Sequence, residues 1–292
     1  MTLSFNKTRF AALAVVSALA LAGCASAAEP QESTTPTATG AAGLVPAEVS
    51  ADGKWTIGVD TTYPPNEYYA EDGVTLTGMD IDLGNAIAER LGLTADWVSA
   101  PFDAIIPSLQ SVKYESGISS FTINSERMAV VDFVSYYQAG TMWAAAAGSD
   151  VTPDNACGRS IAVQKGTVQA EDIAARSASC EALGEDTITV NIYQSQQEAA
   201  ASVINGKNEA MLADSDIVAY AVLQSEGKLK VAGDAYDLFP YGIAVPKGLP
   251  GMADAIKAAL EEIIADGTYA EILAKWSADG GAITAPEINP AV

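Results

Sequence analysis

Arg127, Asp214 and Asp60 carry the charges in this sequence best suited to gripping a small charged molecule. A guanidinium presents a planar fork of N–H donors that matches a carboxylate. A carboxylate matches an ammonium or another cation. Near them in the chain stand two aromatics, Tyr63 and Phe102, the hydroxyls of Ser119, Ser120 and Thr122, and the stretch Gly166-Thr167-Val168-Gln169. One arginine, one aspartate, backbone donors and aromatics converging on one crevice make a pocket for a zwitterion, an α-amino acid. In that reading Arg127 takes the carboxylate, Asp214 takes the ammonium, and the aromatics cover the side chain.

Each residue also has a plainer alternative. Arg127 pairs at the surface with Glu126 or Asp132, Asp214 caps a helix, and Tyr63 and Phe102 are core aromatics. Against the first stands the position of Arg127 near a helix start, where a cation faces the unfavourable end of the macrodipole.

The elements that must bring these residues together follow from periodicity. Strands are predicted over Trp55–Val59, Asp96–Val98, Gly117–Phe121, Thr141–Ala147, Ser160–Val163, Ile188–Ile192, Ala210–Ala213, Leu229–Val231 and Ile243–Val245. Helices are predicted over Asp82–Leu91, Asp103–Gln110, Thr167–Ala178, Ser195–Ile204 (opened by the capping box Ser195-x-x-Glu198), Ser215–Gln224 and Met252–Ala265, with a short one ending at Trp276. Alternation of this kind argues for two α/β units with largely parallel sheets. In open α/β sheets a ligand binds beyond the carboxyl ends of the strands. That rule alone selects Asp60 and Tyr63 after the first strand, Phe102 after the second, Ser119, Ser120 and Thr122 at the third, Thr167 and Gln169 after Ser160–Val163, and Asp214 after Ala210–Ala213.

Composition removes whole classes of function. The 292 residues hold 15 Lys+Arg against 37 Asp+Glu, a formal charge of -22, which repels phosphate backbones and argues against nucleic acid. With no histidine at all, the Ser-His-Asp triad, His-ligated zinc and imidazole acid–base catalysis are absent. No residue is assigned as catalytic or metal-ligating, and no cofactor is expected.

The amino terminus reads as an address. Lys7 and Arg9 precede an apolar run from Phe10 to Leu21, too short for a permanent membrane span and fitting a secretory leader. The run ends in Leu21-Ala22-Gly23-Cys24, which resembles a bacterial lipobox and implies cleavage before Cys24 and a lipid on its sulfur. The alternative is a buried Ala-rich helix with a chance cysteine. Residues 24–52, rich in Ala, Ser, Thr, Pro and Glu, read as a flexible tether. Outside the cytoplasm the remaining Cys157 and Cys180 are expected to oxidise to a disulfide; two free buried thiols are the alternative.

The segment Gly78-Met79-Asp80-Ile81-Asp82-Leu83-Gly84-Asn85-Ala86-Ile87-Ala88-Glu89-Arg90-Leu91 closely resembles the signature of the polar amino acid family of solute-binding proteins of ABC importers (family 3). So do FDAIIPSLQSVKYESGISSFTINSER (102–127), Gly166-Thr167, Ala213-Asp214-Ser215 and ADGTYAEILAKW (265–276). The resemblance covers roughly residues 53–280. It implies a two-lobed α/β clamshell, the type II periplasmic-binding (Venus flytrap) fold. Lobe 1 would be 53–139 and 241–281, lobe 2 141–238, with a tail over 282–292 and crossings near Ala139–Thr141 and Leu238–Pro240. It also implies roles: Arg127 on the α-carboxylate, Asp214 on the α-ammonium, Thr122 and the Ser119–Ser120 backbone on both, Thr167 and Val168 as the second lobe's amides, Tyr63 and Phe102 flanking the side chain.

The family pattern has Phe where this chain has Asn66, which is expected to remove one apolar wall. The function implied is a lipid-anchored, extracytoplasmic, monomeric receptor that captures a polar amino acid and delivers it to an ABC permease. Two other readings are a fold-related dehydratase of the cyclohexadienyl or arogenate type, for which Glu67 is the nearest candidate acid, and a ligand-sensing partner of a membrane receptor. Asp60 tips the ligand towards a basic side chain such as arginine or lysine. If instead Asp60 caps a turn and Glu67 faces solvent, a glutamine-like ligand fits better, and an acidic one would need Lys165 as a partner.

Overall fold

The computed structural model describes residues 40–292. The leader over 1–23, Cys24 and the first part of the tether lie outside the described residues. The chain runs through a 3-10 turn (Gly40–Leu44), α1 (Ala47–Ser50), β1 (Lys54–Val59), β2 (Thr62–Tyr63), β3 (Glu67–Tyr69), β4 (Leu76–Thr77), α2 (Met79–Leu91), β5 (Thr94–Ser99), α3 (Phe102–Gln110), β6 (Ser116–Thr122), α4 (Ser125–Met128) and β7 (Val131–Ala146). It continues through β8 (Ser160–Gln164), α5 (Val168–Leu183), β9 (Thr189–Tyr193), α6 (Gln196–Ile204), β10 (Ala210–Asp214), α7 (Ser215–Gln224), β11 (Leu229–Val231), β12 (Tyr236–Pro246), α8 (Met252–Ala265) and α9 (Thr268–Lys275).

The main sheet has the order β5-β1-β6-β12-β7-β10-β8-β9, with β11 also on β7. β1 runs parallel to β5 and β6, and β8 parallel to β10 and β9. The long strands β7 and β12 run antiparallel to each other and to β6 and β10. The expected largely parallel sheets are therefore corrected: two parallel α/β units are joined through an antiparallel middle. Only the ends of these long strands were legible in the sequence. Each leaves one core for another along its length: Val131 and Phe133 pack under α3, Trp143 and Ala145 under α5. No single alternation survives that change. Gly140 looks like a break in sequence, yet a Cβ there would lie 2.7 Å from the Tyr236 carbonyl oxygen. The close approach of the two strands requires glycine.

Helices cover both faces of each unit. In the first, Trp55, Ile57, Leu83, Ile87, Ile256 and Ile263 form the core beneath α2 and α8, and Ile105, Leu109 and Phe121 that beneath α3. In the second, Ile161, Val163 and Ile173 pack under α5, and Ala199, Val203, Ile217 and Val218 under α6 and α7. Each fully buried Ile or Leu contributes about 1.5–3 kcal/mol of transfer free energy. Local signals agree with this packing. α2 carries Asp80 and Asp82 in its first turn and Arg90 in its last, and Gly92 closes it in the left-handed conformation. α5 runs to Leu183, past the predicted Ala178, because Cys180 is buried and Gly184 supplies the left-handed stop. At α6 only half of the expected capping box forms, with Ser195 accepting from the Glu198 amide.

The end of the expected tether is folded. Ala41 and Val49 are buried and Val45 partly so, against the α2/α8 core, and the Ala41 amide donates to Glu262 Oε1 at 2.9 Å. These three apolar residues stand four apart, which an average over composition conceals. The tail is also docked. Ser135 donates its amide to the Glu287 carbonyl and Asn289 donates to that of Phe133, each at 2.9 Å, along β7.

Cys157 and Cys180 are joined in a disulfide with Cα atoms 5.7 Å apart, tying the loop before β8 to α5. The ring encloses Thr167 and Val168. Replacing both cysteines by alanine is expected to cost roughly 3 kcal/mol of stability, because a loop of this length regains its freedom in the unfolded chain. Denaturant unfolding of the oxidised protein and the double variant measures this, and equal midpoints would refute it.

Candidate functional site

The carboxyl ends of β1, β6, β8 and β10 open onto one cleft. Asp60, Tyr63, Phe102, Ser119, Ser120, Thr122, Arg127, Thr167, Val168, Gln169 and Asp214 all line it, together with Gln164. Gln164 was missed. It is the last residue of β8, so the strand-end rule that selected its neighbours also covers it.

Arg127 sits on α4, whose cap Asn124 accepts the Arg127 amide at 2.8 Å. Its guanidinium donates to the Thr122 carbonyl at 2.7 Å and, across the cleft, to the Gly166 carbonyl at 3.0 Å. It lies over the rings of Phe102 (5.4 Å) and Phe121 (5.8 Å), which stack on each other. Among the described residues no carboxylate forms an ion pair with it. The surface-pair alternative is corrected, because Asp132 pairs with Lys247 instead. Burial lowers the Arg127 pKa from its ordinary value. A desolvated cation held only by neutral carbonyls is poised for an anionic ligand group.

Asp214 occupies the cap position of α7 but makes no side-chain cap bond. Its carboxylate accepts from the Tyr63 hydroxyl at 2.6 Å and from Gln169 Nε2 at 2.9 Å. Burial, then the charge of Asp216, pushes its pKa up to about 7. No cation among the described residues pairs with it. Tyr63 fulfils both readings, packing with Met211 and Ile217 while lining the cleft. So does Phe102, at the edge of the α3 core.

Asp60 is 4% exposed. Its Oδ1 accepts from the amide and hydroxyl of Thr62, and its Oδ2 from Gln164 Nε2 at 2.6 Å and the Phe102 amide at 3.2 Å. It therefore caps a turn and faces the cleft at once. Burial raises its pKa.

Asn66 takes no part in the lining: its side chain turns to Ser120 Oγ and Asp216 Oδ2. Two expectations are corrected. Glu67 faces neither solvent nor cleft; it is fully buried beneath the floor, accepting from Ser119 Oγ at 2.9 Å, and burial and the charge of Asp80 push its pKa well up. Lys165 is outside the cleft, exposed and paired with Asp103 at 2.8 Å. The floor also holds Ser120 at φ +50, in the left-handed region. That turn aims the Ser120 amide at Asp80 Oδ2, 2.8 Å away, and no residue type in the sequence signals it.

The lining thus carries one cation and two anions. A molecule bearing one carboxylate and two cationic groups is its complement.

The model of the bacterial extracellular solute-binding proteins, family 3, matches residues 55–279. The chain is 36% identical over 249 residues to arginine-binding protein ArgT of Corynebacterium glutamicum, covering 84% of this chain and 81% of that protein. An ancestral arginine-binding protein bound to arginine superposes with a TM-score of 0.71 at 33% identity, covering 77% of this chain and 98% of the other. An ancestral arginine-binding protein bound to glutamine gives 0.72 at 32%, covering 78% and 99%.

Proposed function

This chain belongs to the bacterial extracellular solute-binding proteins, family 3, and from that premise we propose that it is an amino acid receptor whose preferred ligand is arginine. The observation that carries the reading is the charge of the lining: Arg127 against Asp60 and Asp214, with no second cation. Arginine brings a carboxylate for Arg127, an ammonium for Asp214 and a guanidinium for Asp60, so no buried charge is left without a partner. Glutamate would set a second carboxylate against Asp60. Gln169 and Tyr63 orient Asp214, and Gln164 orients Asp60.

Arg127 and Asp60 stand on the first lobe, and Asp214, Gln164 and Thr167 on the second. We take these lobes as 53–139 with 241–281, and 141–238, the first extended by the docked residues 40–52 and 282–292. A ligand gripped from both sides stabilises the closed form relative to the open one. Micromolar binding corresponds to about -8 kcal/mol, within reach of such a pocket.

A second reading rests on the four donors already surrounding Asp60. They hold its carboxylate without a ligand cation, and glutamine then suffices. Calorimetric titration with the twenty amino acids, ornithine and citrulline separates the two. Arginine binding at least tenfold tighter than glutamine supports the first. Tight binding of glutamate or aspartate alone would overturn both.

The receptor works without catalysis. Glu67, the acid considered for a dehydratase, lies under the floor and does not line the cleft. Its delivery partner is an ABC permease, and it acts as a monomer held at the outer face of the cell membrane through a lipid on Cys24. No helix among the described residues is long and apolar enough to cross a membrane. Cys24→Ser is expected to release the protein from membranes or leave the precursor unprocessed. A processed form still retained in the membrane fraction would refute the anchor.

A further inference from the structure

Asn66 stands where the resembled family carries an apolar ring, and the structure gives it a different task. Its backbone is pinned to the first lobe. The Asn66 carbonyl accepts the Asp80 amide of α2 at 2.9 Å, and the Pro65 carbonyl accepts that of Met79 at 3.2 Å. Gly78 makes this possible: its φ is +139, and a Cβ there would lie 2.0 Å from the Asn66 carbonyl oxygen. The side chain is 1% exposed. Nδ2 donates to Ser120 Oγ at 2.9 Å within the first lobe and to Asp216 Oδ2 at 2.7 Å across to the second. Asp216 opens α7, next to Asp214, and its other oxygen accepts from the Tyr241 hydroxyl of β12 at 3.0 Å. No cation among the described residues pairs with Asp216.

We propose that Asn66 is a closure strut: its side-chain amide, fixed on the first lobe, donates to the Asp216 carboxylate of the second and stabilises the closed form without touching the ligand. The inference rests on the receptor reading and deepens it. A hydrogen bond to a charged acceptor in a partly buried place is among the stronger ones. When the lobes part, both groups return to water, so the bond favours closed over open and slows ligand escape. A phenylalanine at this position has no donor to offer Asp216. The strut thus makes Asn66 a positioning residue for binding, and it explains how a polar side chain is tolerated at a fully buried position.

The test compares wild type with Asn66→Leu, Asp216→Ala and the double variant. Arginine dissociation is followed by stopped-flow tryptophan fluorescence, and the radius of gyration of the unliganded proteins by small-angle X-ray scattering. Each single variant is expected to release arginine about tenfold faster, the double variant no faster than the faster single one, and the unliganded variants to be more expanded than wild type. Asn66→Asp, which keeps the size but sets a like charge against Asp216, serves if the leucine variant does not fold and is expected to act the same way. An unchanged off-rate, or full additivity in the double variant, overturns the strut. If wild type binds no amino acid, the receptor reading fails, and an unchanged radius of gyration then overturns the strut separately.

Discussion

Replacing Arg127 by alanine is expected to weaken amino acid binding by about 2–5 kcal/mol, on the order of thirtyfold or more, measured by isothermal titration. The cause is electrostatic. Removing the guanidinium leaves the ligand carboxylate in the cleft against the Thr122 and Gly166 carbonyls, which repel it. Folding is expected to suffer little, because Arg127 makes no ion pair that its loss would break. Arg127→Lys keeps the charge but loses the planar fork and the contact with the Phe102 face, and should fall between the two. An alanine variant that binds within threefold of wild type would remove Arg127 from the site.

The second large effect belongs to Asp214 and shows itself as pH dependence. In the empty cleft its carboxyl has a pKa pushed up to about 7, so it is neutral below that pH. A ligand ammonium needs the carboxylate. Binding below pH 7 must therefore expel a proton, and affinity falls as the pH falls, approaching tenfold per unit. Between pH 8 and pH 5 the loss is about 100-fold, and the raised pKa of Asp60 acts in the same direction. Asp214→Asn keeps a similar shape and the Tyr63 and Gln169 neighbours but cannot ionise. It should bind at least about 2 kcal/mol more weakly at pH 8 and show a flatter profile. A wild-type profile flat from pH 8 to pH 5 would sink this assignment.

In the proposed reading Arg127 and Asp214 recognise what all α-amino acids share. Asp60, held by Gln164 of β8, is then left to distinguish one side chain from another. Its burial makes an uncharged or acidic partner unfavourable, and its existing donors limit how strongly it demands a cation. The preference for arginine over glutamine is for that reason expected to be smaller than the demand for a free carboxylate and ammonium.

The sequence by itself determined which residues meet. Strand ends are marked by local signals: an apolar run of four to six residues, then a polar residue, then a helix start. Side chains at those ends share one crevice whatever the details of packing, and so Asp60, Ser119, Thr122, Thr167 and Asp214 were legible from type and position. Cys157 and Cys180 were legible from the compartment. Tertiary structure alone decided what several of these residues touch. Asp214 stands at a helix start, yet its carboxyl group accepts from Tyr63 and Gln169 rather than capping the helix. Asn66 and Glu67 are neighbours in sequence, but one crosses to Asp216 and the other drops beneath the floor, because the turn through Ser120 and the pinning by Gly78 fix where each points. The paths of β7 and β12 between two cores, and the docking of Ala41 and Val49, depend on partners hundreds of residues away or on both lobes at once. Local propensity carries no record of such partners, since the free energy that decides them comes from burial in the assembled molecule.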